Sequence, residues 1–420
     1  VDSIFVAKLS ENALTAVSLA FPLQMLLIAV ATGTGVGMNA LLSRALGAKK
    51  TDEANKIASN GTFLYIISYI VFLILGFTVV KPFYASQIGN ADVEIMEMGI
   101  DYLSTVMIFS MGLLAQICFE RLLTSTGRTI FSMTSQLCGA ITNIILDPIL
   151  IFGLFGAPKM GVTGAAVATV IGQCVACIVA GICNHKFNHE VRLSFRGFRP
   201  DLKIIGHIYA VGIPSIIMQS ISSIMTYCMN LILVQFTVTA TAVFGVYFKL
   251  QSFFFMPVFG LNNGITPIIA YNYGARHRKR MLKTVKVSMF IAFCFTFIGF
   301  LAFEFIPKTL LGLFSASEDM LTIGIPALRI IGIHYLIAWF CIVSGTVFQA
   351  LGKAFFSMIV SIMRQLFVLI PAAYILAKLG GLHVVWWSFP IAEVISLMVS
   401  SFFLVRINRT IISRVPEGKL

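Results

Sequence analysis

Charged side chains are scarce in this sequence. Asp, Glu, Lys and Arg together make up 11% of its 420 residues, whereas soluble domains carry roughly 25%. Only 17 residues are acidic, and hydrophobic residues account for 58% of the chain. Such a composition excludes an ordinary water-soluble protein and indicates a chain whose solvent is lipid.

The sequence also lacks the short motifs of several enzyme classes. It contains no H-E-x-x-H zinc motif, no nucleophile elbow and no Walker A phosphate loop, which argues against a membrane-embedded enzyme. Disulfides are not expected, because the eight cysteines fall mostly inside predicted helices. Cys174 and Cys177 form a C-x-x-C pair without a second pair of ligands, so we expect neither a zinc site nor a resident cofactor.

Long apolar runs separated by short charged loops repeat along the chain. Most of them exceed the roughly 18 to 20 residues that a helix needs to cross a bilayer. The sequence therefore predicts an all-α integral membrane protein with twelve transmembrane helices, the first of them truncated at the start of the chain. The predicted helices cover residues 1–8, 13–46, 55–80, 97–125, 129–154, 162–185, 204–235, 239–272, 282–305, 321–350, 355–378 and 384–407.

The basic residues are distributed unevenly between the two sides of this predicted topology. Of the 30 Lys and Arg residues, 22 lie in the loops after even-numbered helices or in the C-terminal tail, and 5 lie on the opposite side. The positive-inside rule then places both termini in the cytoplasm, in a multi-pass protein of the cell inner (plasma) membrane. The net charge of +13 is thus a topology signal and not a nucleic-acid surface, although such loops also contact anionic lipid.

The second half of the chain repeats the first. A shift of 227 residues aligns the second predicted helix with the eighth, pairing Gln24 with Gln251 and Gly37 with Gly264. Each half has six spans, so both enter the membrane in the same sense and are predicted to be related by a pseudo-twofold axis along the membrane normal. The glycines, spaced as G-x-x-x-G, are expected to pack closely against neighbouring helices. The predicted divisions are an N-terminal six-helix bundle (1–190), a cytoplasmic linker (191–203) and a C-terminal six-helix bundle (204–420).

Ionisable groups at membrane depth are costly and therefore mark functional candidates. Asp2, Asp147 and Thr169 are each predicted to lie roughly 10 Å below the outer surface. Asn143 shares the helix face of Asp147, and Pro148 loosens the helix beside that acid. These residues predict an oxygen-only cluster that could bind sodium or, through its two carboxylates, a proton. A set of interhelical hydrogen bonds is the alternative interpretation.

The second half carries four charged residues at membrane depth, which are Lys249, Arg329, Arg364 and Glu393. Glu393 could pair with either Arg364 or Lys249. A structural role is favoured over ion coupling for this group.

Three motifs resemble those of the multidrug and toxic compound extrusion (MATE) transporters: VDSIFV at 1–6, NIILDP at 143–148 and GVTGAAVAT at 161–169. The resemblance covers essentially the whole chain. It implies twelve helices in two bundles, a V-shaped cavity, and export of organic, often cationic compounds in exchange for sodium or protons. Carried over by motif, it assigns ion coupling to Asp2, Asn143, Asp147 and Thr169.

Two departures from the family pattern matter. One branch has acids in its seventh and tenth helices, but the stretches at 219–222 and 338–340 have none here, so coupling is expected in the N-terminal half, as in the DinF-type branch. Glu120 stands where many members have Asn; it is either a second titratable group in the cavity or a partner of Arg121, and the partnership is favoured. The other polar residues expected in the cavity are Gln24, Gln173 and Gln251.

The leading prediction is thus a monomeric secondary antiporter for small-molecule drugs or toxic organic compounds, with sodium as a possible coupling ion. A flippase for a lipid-linked saccharide is the alternative. It would need a basic central cavity, to which Lys249, Arg329 and Arg364 could contribute, whereas the acidic cluster argues against it. A major-facilitator transporter shares the twelve-helix plan but not the three motifs.

Overall fold

The computed structural model describes residues 5–6, 8–88, 93–193, 198–314 and 317–416. Within these ranges the chain forms helices joined by short connections, and none of the described residues is in a β-strand. The helices are α1 Glu11–Gly47, α2 Thr51–Thr78, α3 Val80–Ile88, α4 Val93–Ile108, α5 Met111–Ser125, α6 Thr129–Phe152, α7 Gly161–Phe187, α8 Leu202–Leu233, α9 Val238–Gly274, α10 Arg278–Phe305, α11 Pro307–Gly312, α12 Glu318–Gly332, α13 Tyr335–Ala350, α14 Ala354–Ile362, α15 Ile370–Gly380, α16 Leu382–Val385 and α17 Ser388–Thr410.

Most of these helices are long and apolar enough to cross a membrane. Among the described residues, 9 helices meet that criterion, and the bent pairs α4–α5 and α12–α13 raise the number to 11. Helix α2 exposes a stripe of large apolar side chains, with Ile70, Ile74 and Phe77 at 47%, 54% and 70% exposure. A stripe of this kind is lipid-facing surface. The predicted all-α, multi-pass membrane fold is confirmed, and the predicted first helix falls mostly on residues that are not described.

The chain divides into two compact units, one formed by Val1–Leu42 with Lys50–Gly212 and the other by Ser43–Lys49 with Ile213–Leu420. In the first unit, α7 is the central helix, because α4, α5 and α6 all pack against it. In the second unit, an aromatic core joins α9, α10 and α13. Its centre is Phe303, whose ring centroid lies 6.2 Å from that of Tyr247 and 5.1 Å from that of Tyr335.

The repeat found in the sequence recurs in the bounds of the helices. A shift of 227 residues carries α1 onto α9 and α2 onto α10, so that their first and last positions coincide. A shift of 225 carries α4 and α5 onto α12 and α13 to within one residue at each end. The short helices α3 and α11 also occupy matching places in the order. The two halves are therefore built from the same series of elements.

The predicted helix at 97–125 is broken in the structure. Helices α4 and α5 are bent by 41° where they meet. At the break the amide of Ser110 donates to the carbonyl of Met107, three residues back, at 3.3 Å, and Gly112 follows two residues later. Tight three-residue bonding beside a Ser and a Gly is a known cause of kinks. The prediction of one continuous helix was wrong because hydropathy does not register this local geometry.

The predicted helix at 321–350 is broken at the matching place. Helices α12 and α13 are bent by 52°. Here the ring nitrogen Nδ1 of His334 lies 2.6 Å from the carbonyl oxygen of Ile331. The backbone amide of His334 reaches that same carbonyl at 3.0 Å. One side chain thus reinforces a three-residue turn that interrupts the helical ladder, and the single-helix prediction was wrong here too.

The predicted helix at 355–378 contains a π-helical segment, Met363–Leu369, between α14 and α15. Pro371 follows it closely at the start of α15. Proline has no amide to donate and its ring would press against the carbonyl of Phe367, four residues back. A wider turn before Pro371 relieves that conflict. Segments of this type are frequent at functional sites.

The two G-x-x-x-G motifs, Gly33 to Gly37 in α1 and Gly260 to Gly264 in α9, have different surroundings. A Cβ placed on Gly37 in α1 would overlap the main-chain oxygen of Ile208 in α8. One on Gly212 would lie 3.1 Å from the main-chain oxygen of Gly33. The first motif therefore brings two backbones together, as expected. By contrast, a Cβ on Gly264 of α9 would meet no atom of the described residues within 4 Å, so the close packing predicted there is not found in this part of the chain.

Alanine substitutions at the repeat-related glycines should separate these two situations. We expect Gly37→Ala to destabilise the protein by about 1–3 kcal/mol, because its methyl group collides with main-chain atoms that cannot rotate away. Gly264→Ala, its matched control, should be neutral or slightly stabilising. Thermal unfolding of the detergent-solubilised variants, monitored by size-exclusion chromatography, measures the difference in stability. Equal losses at both positions would contradict the packing described here.

Candidate functional site

Helices α6 and α7 of the first unit are in direct backbone contact at two heights. A Cβ on Gly139 would lie 2.7 Å from the main-chain oxygen of Gly172, and one on Gly164 would lie 2.6 Å from that of Leu150. Only glycine permits such an approach. The stretch of α6 between these two contacts carries the N-x-x-x-D motif, whose side chains are therefore held against α7.

The predicted cluster forms between these helices. Asn143 Nδ2 donates to Asp147 Oδ1 at 3.2 Å and to Thr169 Oγ1 at 3.4 Å. Thr169 Oγ1 donates in turn to the carbonyl of Ala165 at 3.0 Å. The side chain of Asp147 is 0% exposed. Three of the four predicted coupling residues thus lie together, while Asp2 lies outside the described residues.

This arrangement offers oxygen atoms to a positively charged ligand. Asn143 uses its amide nitrogen for the two internal bonds, so its carbonyl oxygen is directed away from them. A carboxylate buried as deeply as that of Asp147 is costly unless a cation or a proton compensates its charge. The interhelical hydrogen bonds expected as the alternative do occur, and they hold the acceptor atoms in place. The same group could accept a proton or ligate a hard cation.

Gln173 extends the polar face of α7 by one turn beyond Thr169. Its side-chain oxygen, Oε1, is buried and accepts no hydrogen bond from a described residue. The described ranges contain no group of three or more His, Cys, Asp or Glu residues that could hold a metal ion. Any cation held here would therefore depend on one carboxylate of this part of the chain and several neutral oxygens, a set that suits a monovalent ion better than a transition metal.

Glu120 belongs to a separate polar cluster. It accepts hydrogen bonds from Gln116 Nε2 at 2.9 Å, from Gln136 Nε2 at 2.8 Å and from Ser135 Oγ at 3.2 Å. Its two donors on α6, Ser135 and Gln136, come 12 and 11 residues before Asp147, which corresponds to roughly 17 Å along the helix. Uncharged donors from α5 and α6 thus surround this carboxylate, and its pairing with Arg121 stays a prediction.

The other two residues predicted in the cavity, Gln24 and Gln251, lie one in each unit. Gln24 Nε2 in α1 donates to Tyr102 Oη at 3.1 Å, and Gln251 in α9 is half-buried.

Sequence reasoning missed Tyr102, Gln116 and Gln136. The spacing of Gln116 four residues before Glu120 could have shown that pair, whereas the bonds of Gln136 and Tyr102 join different helices and leave no local signal.

The charged residues of the second unit take separate partners. Arg364 Nη1 lies 3.2 Å from Glu393 Oε2, so Arg364 and not Lys249 forms the predicted pair with this acid. Arg329 Nε donates to the carbonyl of Glu304 at 3.1 Å, and Lys249 Nζ lies 5.8 Å from the centre of a phenylalanine ring. A flippase would use basic residues that converge on one phosphate group, and these three are each engaged elsewhere.

A protein-family model described as MatE matches two stretches of this chain, residues 1–149 and 214–375. One stretch falls in each half of the repeat. Helix α6 begins within the first stretch, and α7 begins soon after its end. The N-x-x-x-D motif of α6 is inside the first stretch.

Relatives of known name match nearly the whole chain. The multidrug export protein MepA of Staphylococcus haemolyticus is 28% identical over 403 residues, which cover 94% of this chain and 86% of MepA. MepA of Staphylococcus aureus is 26% identical over 416 residues, which cover 97% of this chain and 89% of MepA.

Two solved structures superpose closely on this chain. An outward-facing multidrug resistance MATE family transporter of the MOP superfamily superposes with a TM-score of 0.91 at 26% identity, covering 98% of this chain and 91% of that one. A MOP superfamily transporter from Pyrococcus furiosus superposes with a TM-score of 0.89 at 25% identity, covering 98% and 91%. For that protein, a binding pocket of reversed polarity has been taken to suggest a different function.

The repeated order of helices agrees with these matches, and the N-x-x-x-D motif lies inside a matched stretch. The family model alone covers well over half of the chain. This multi-pass membrane protein belongs to the MatE family, the MATE transporters.

Proposed function

We propose that this protein is a cation-coupled secondary antiporter that exports organic, cationic or amphipathic compounds by alternating access. The observation that carries the proposal is the buried carboxylate of Asp147, bound by Asn143 beside Thr169 on two helices in backbone contact. The names of the two MepA proteins, which are multidrug exporters, support the substrate class.

The proposed mechanism follows from the cost of burying charge. A sodium ion or a proton arriving from outside binds at Asp147, beside Asp2 of the predicted first helix, and neutralises one of the two carboxylate charges. The neutralised site favours the conformation that releases substrate outward, since an ion can shift a conformational equilibrium only through different affinities for the two states. Asn143 orients the carboxylate, and Thr169 and Gln173 supply neutral oxygens.

The remaining features of the proposal follow from the topology. Both termini lie in the cytoplasm, because the basic residues concentrate in the loops on that side. The proposal also has the protein acting as a monomer in the inner (plasma) membrane. The coupling ion is cargo, and no resident cofactor or covalent chemistry is required.

Efflux of a fluorescent organic cation from proteoliposomes tests the function directly. The full chain is reconstituted, and a sodium gradient and a pH gradient are imposed in separate experiments. We expect efflux above that of protein-free liposomes under at least one gradient. An absence of response to both gradients by a correctly folded protein would contradict the antiporter.

A change at Thr169 should identify the ion. If sodium is the coupling ion, Thr169→Val should raise the sodium concentration needed for half-maximal efflux roughly tenfold, because one oxygen ligand to a charged group is worth about 1.5 kcal/mol. Efflux driven by protons should change little, since a proton needs only the carboxylate.

The matched control for this change is Thr134→Val on α6. The hydroxyl of Thr134 donates to the carbonyl of Ile130 at 2.9 Å, one turn back, as that of Thr169 does to Ala165. The Thr134→Val substitution therefore removes the same local hydrogen bond and leaves the cluster between α6 and α7 unchanged. If both valine variants shift the sodium dependence equally, Thr169 has no special role.

A further inference from the structure

A cavity of about 810 Å³ lies in the first unit, where the N-terminal ends of α2 and α8 meet. Residues 198–203, at the end of the connection between the halves, form one wall, and α2 forms the other with Asn55, Lys56, Ser59 and Asn60. The volume is within the range of small-molecule sites in proteins. It is separate from the cluster between α6 and α7.

The walls of this cavity are fixed to one another. Asn60, only 2% exposed, accepts a hydrogen bond from the backbone amide of Asp201 at 2.9 Å through Oδ1. Asn55 Oδ1 accepts one from the amide of Arg192 at 2.8 Å. The ring of Phe198 packs on that of Phe63 with 5.5 Å between centroids. Two side-chain amides and one aromatic pair thus tie the connection to α2.

The lining of the cavity is basic. Lys56, Arg199 and Lys203 line it, against a single acid, Asp201. That acid caps α8, because its Oδ1 accepts from the backbone amide of Lys203 at 2.9 Å. Within the described ranges, none of the three cations has a carboxylate at ion-pair distance. Three unneutralised charges and the positive end of a long helix therefore face one space.

An exposed apolar side chain stands beside these charges. Leu202 lines the same cavity and is 80% exposed, although it opens a helix that enters the membrane region. Free phosphate would gain nothing from a leucine, whereas a phospholipid presents an anionic headgroup and an acyl chain side by side. Basic pockets at the ends of transmembrane helices are suited to such headgroups.

We propose that this cavity binds the phosphate headgroup of an anionic glycerophospholipid, with Lys56, Arg199 and Lys203 as the charged contacts and Leu202 against the acyl chains. The site is independent of the proposed antiport function and would exist in a transporter of any substrate.

Native mass spectrometry of the full chain in detergent tests the site. Phosphatidylglycerol and phosphatidylcholine are titrated separately against the wild type and against Lys56→Gln/Arg199→Gln/Lys203→Gln. Each neutralised cation should weaken phosphatidylglycerol binding about fivefold, so we expect roughly a 100-fold loss in the triple variant and no change for phosphatidylcholine. The single variant Arg199→Gln, with an expected loss of about fivefold, carries the test if the triple variant does not fold.

The matched control removes three exposed cations of α10, as Arg280→Gln/Lys283→Gln/Lys286→Gln, which carry the same total charge and do not line the cavity. It should leave phosphatidylglycerol binding unchanged. Equal losses in both triple variants would show general attraction by net charge and overturn the site. Displacement of the lipid by inorganic phosphate alone would show a free-phosphate site and overturn the assignment to lipid.

Discussion

Replacing Asp147 with Asn is expected to reduce gradient-driven efflux to the level of protein-free liposomes, a loss of roughly 100-fold or more if the ion interaction is worth about 3 kcal/mol. Asn has nearly the same shape and keeps an oxygen to accept the 3.2 Å bond from Asn143. It has no charge to attract sodium and cannot take up a proton. The substitution therefore removes the coupling chemistry and leaves the packing.

The protein should remain folded after this change, because a buried amide costs less than a buried carboxylate. Expression level and elution volume check this point before transport is measured. Transport is then measured as efflux under the gradient that drives the wild type. Undiminished efflux by a well-expressed Asp147→Asn protein would remove this residue from the coupling site.

Two carboxylates of the same unit provide controls. Asp101, exposed on α4, gives the same Asp→Asn substitution away from any cluster and should transport normally. Glu120→Gln keeps the shape of a side chain bound by Gln116, Ser135 and Gln136. Normal efflux by Glu120→Gln would confine coupling to the Asp147 cluster, whereas a loss would make Glu120 the second titratable group considered from the sequence.

Much of this architecture could be predicted from the sequence because a bilayer imposes simple rules. Apolar runs long enough to span it showed the helices, and a residue-by-residue shift showed the repeat that the helix bounds now reproduce. Asn143 and Asp147 were joined by their spacing on one helix face. Thr169 was added by counting depth along a second helix, and the structure places it 3.4 Å from Asn143.

The features that sequence reasoning missed depend on geometry between helices or on local backbone bonding. The kinks at Ser110 and His334 arise from three-residue hydrogen bonds inside segments of unbroken hydropathy. The bond of Gln136 to Glu120 joins residues 16 apart on different helices, which no helical period relates. Gly37 and Gly264 have the same spacing motif, and only the structure shows that one meets a backbone while the other does not.

The pair of Arg364 and Glu393 in the second unit provides the other large expected effect. Glu393 is 3% exposed, and its Oε2 lies 3.2 Å from Arg364 Nη1. The other carboxylate oxygen, Oε1, is buried and accepts no hydrogen bond from a described residue. Arg364 belongs to the π-helical segment Met363–Leu369, so the wider turn holds the guanidinium that compensates this carboxylate.

Removing only the cation should be far more harmful than removing both partners. We expect Arg364→Met to lower the free energy of unfolding by about 3–5 kcal/mol, because it leaves a buried carboxylate without compensation. Replacing both residues, as Arg364→Met/Glu393→Met, should restore most of that loss, since an apolar pair needs no compensation. Thermal unfolding in detergent measures the stabilities, and Arg329→Met, at an exposed arginine, is the control and should cost little.

Transport by the doubly substituted protein separates a structural role from a functional one. A double-mutant cycle completed with Glu393→Met isolates the pair's interaction, provided that neither single change creates new contacts. If the double variant is stable and transports normally, the pair is a structural element, as favoured from the sequence. If it is stable but inactive, the charge itself takes part in transport, and coupling cannot be confined to the first unit. Equal destabilisation by the single and double changes would show that side-chain volume, and not charge, fixes this part of the π-helical segment.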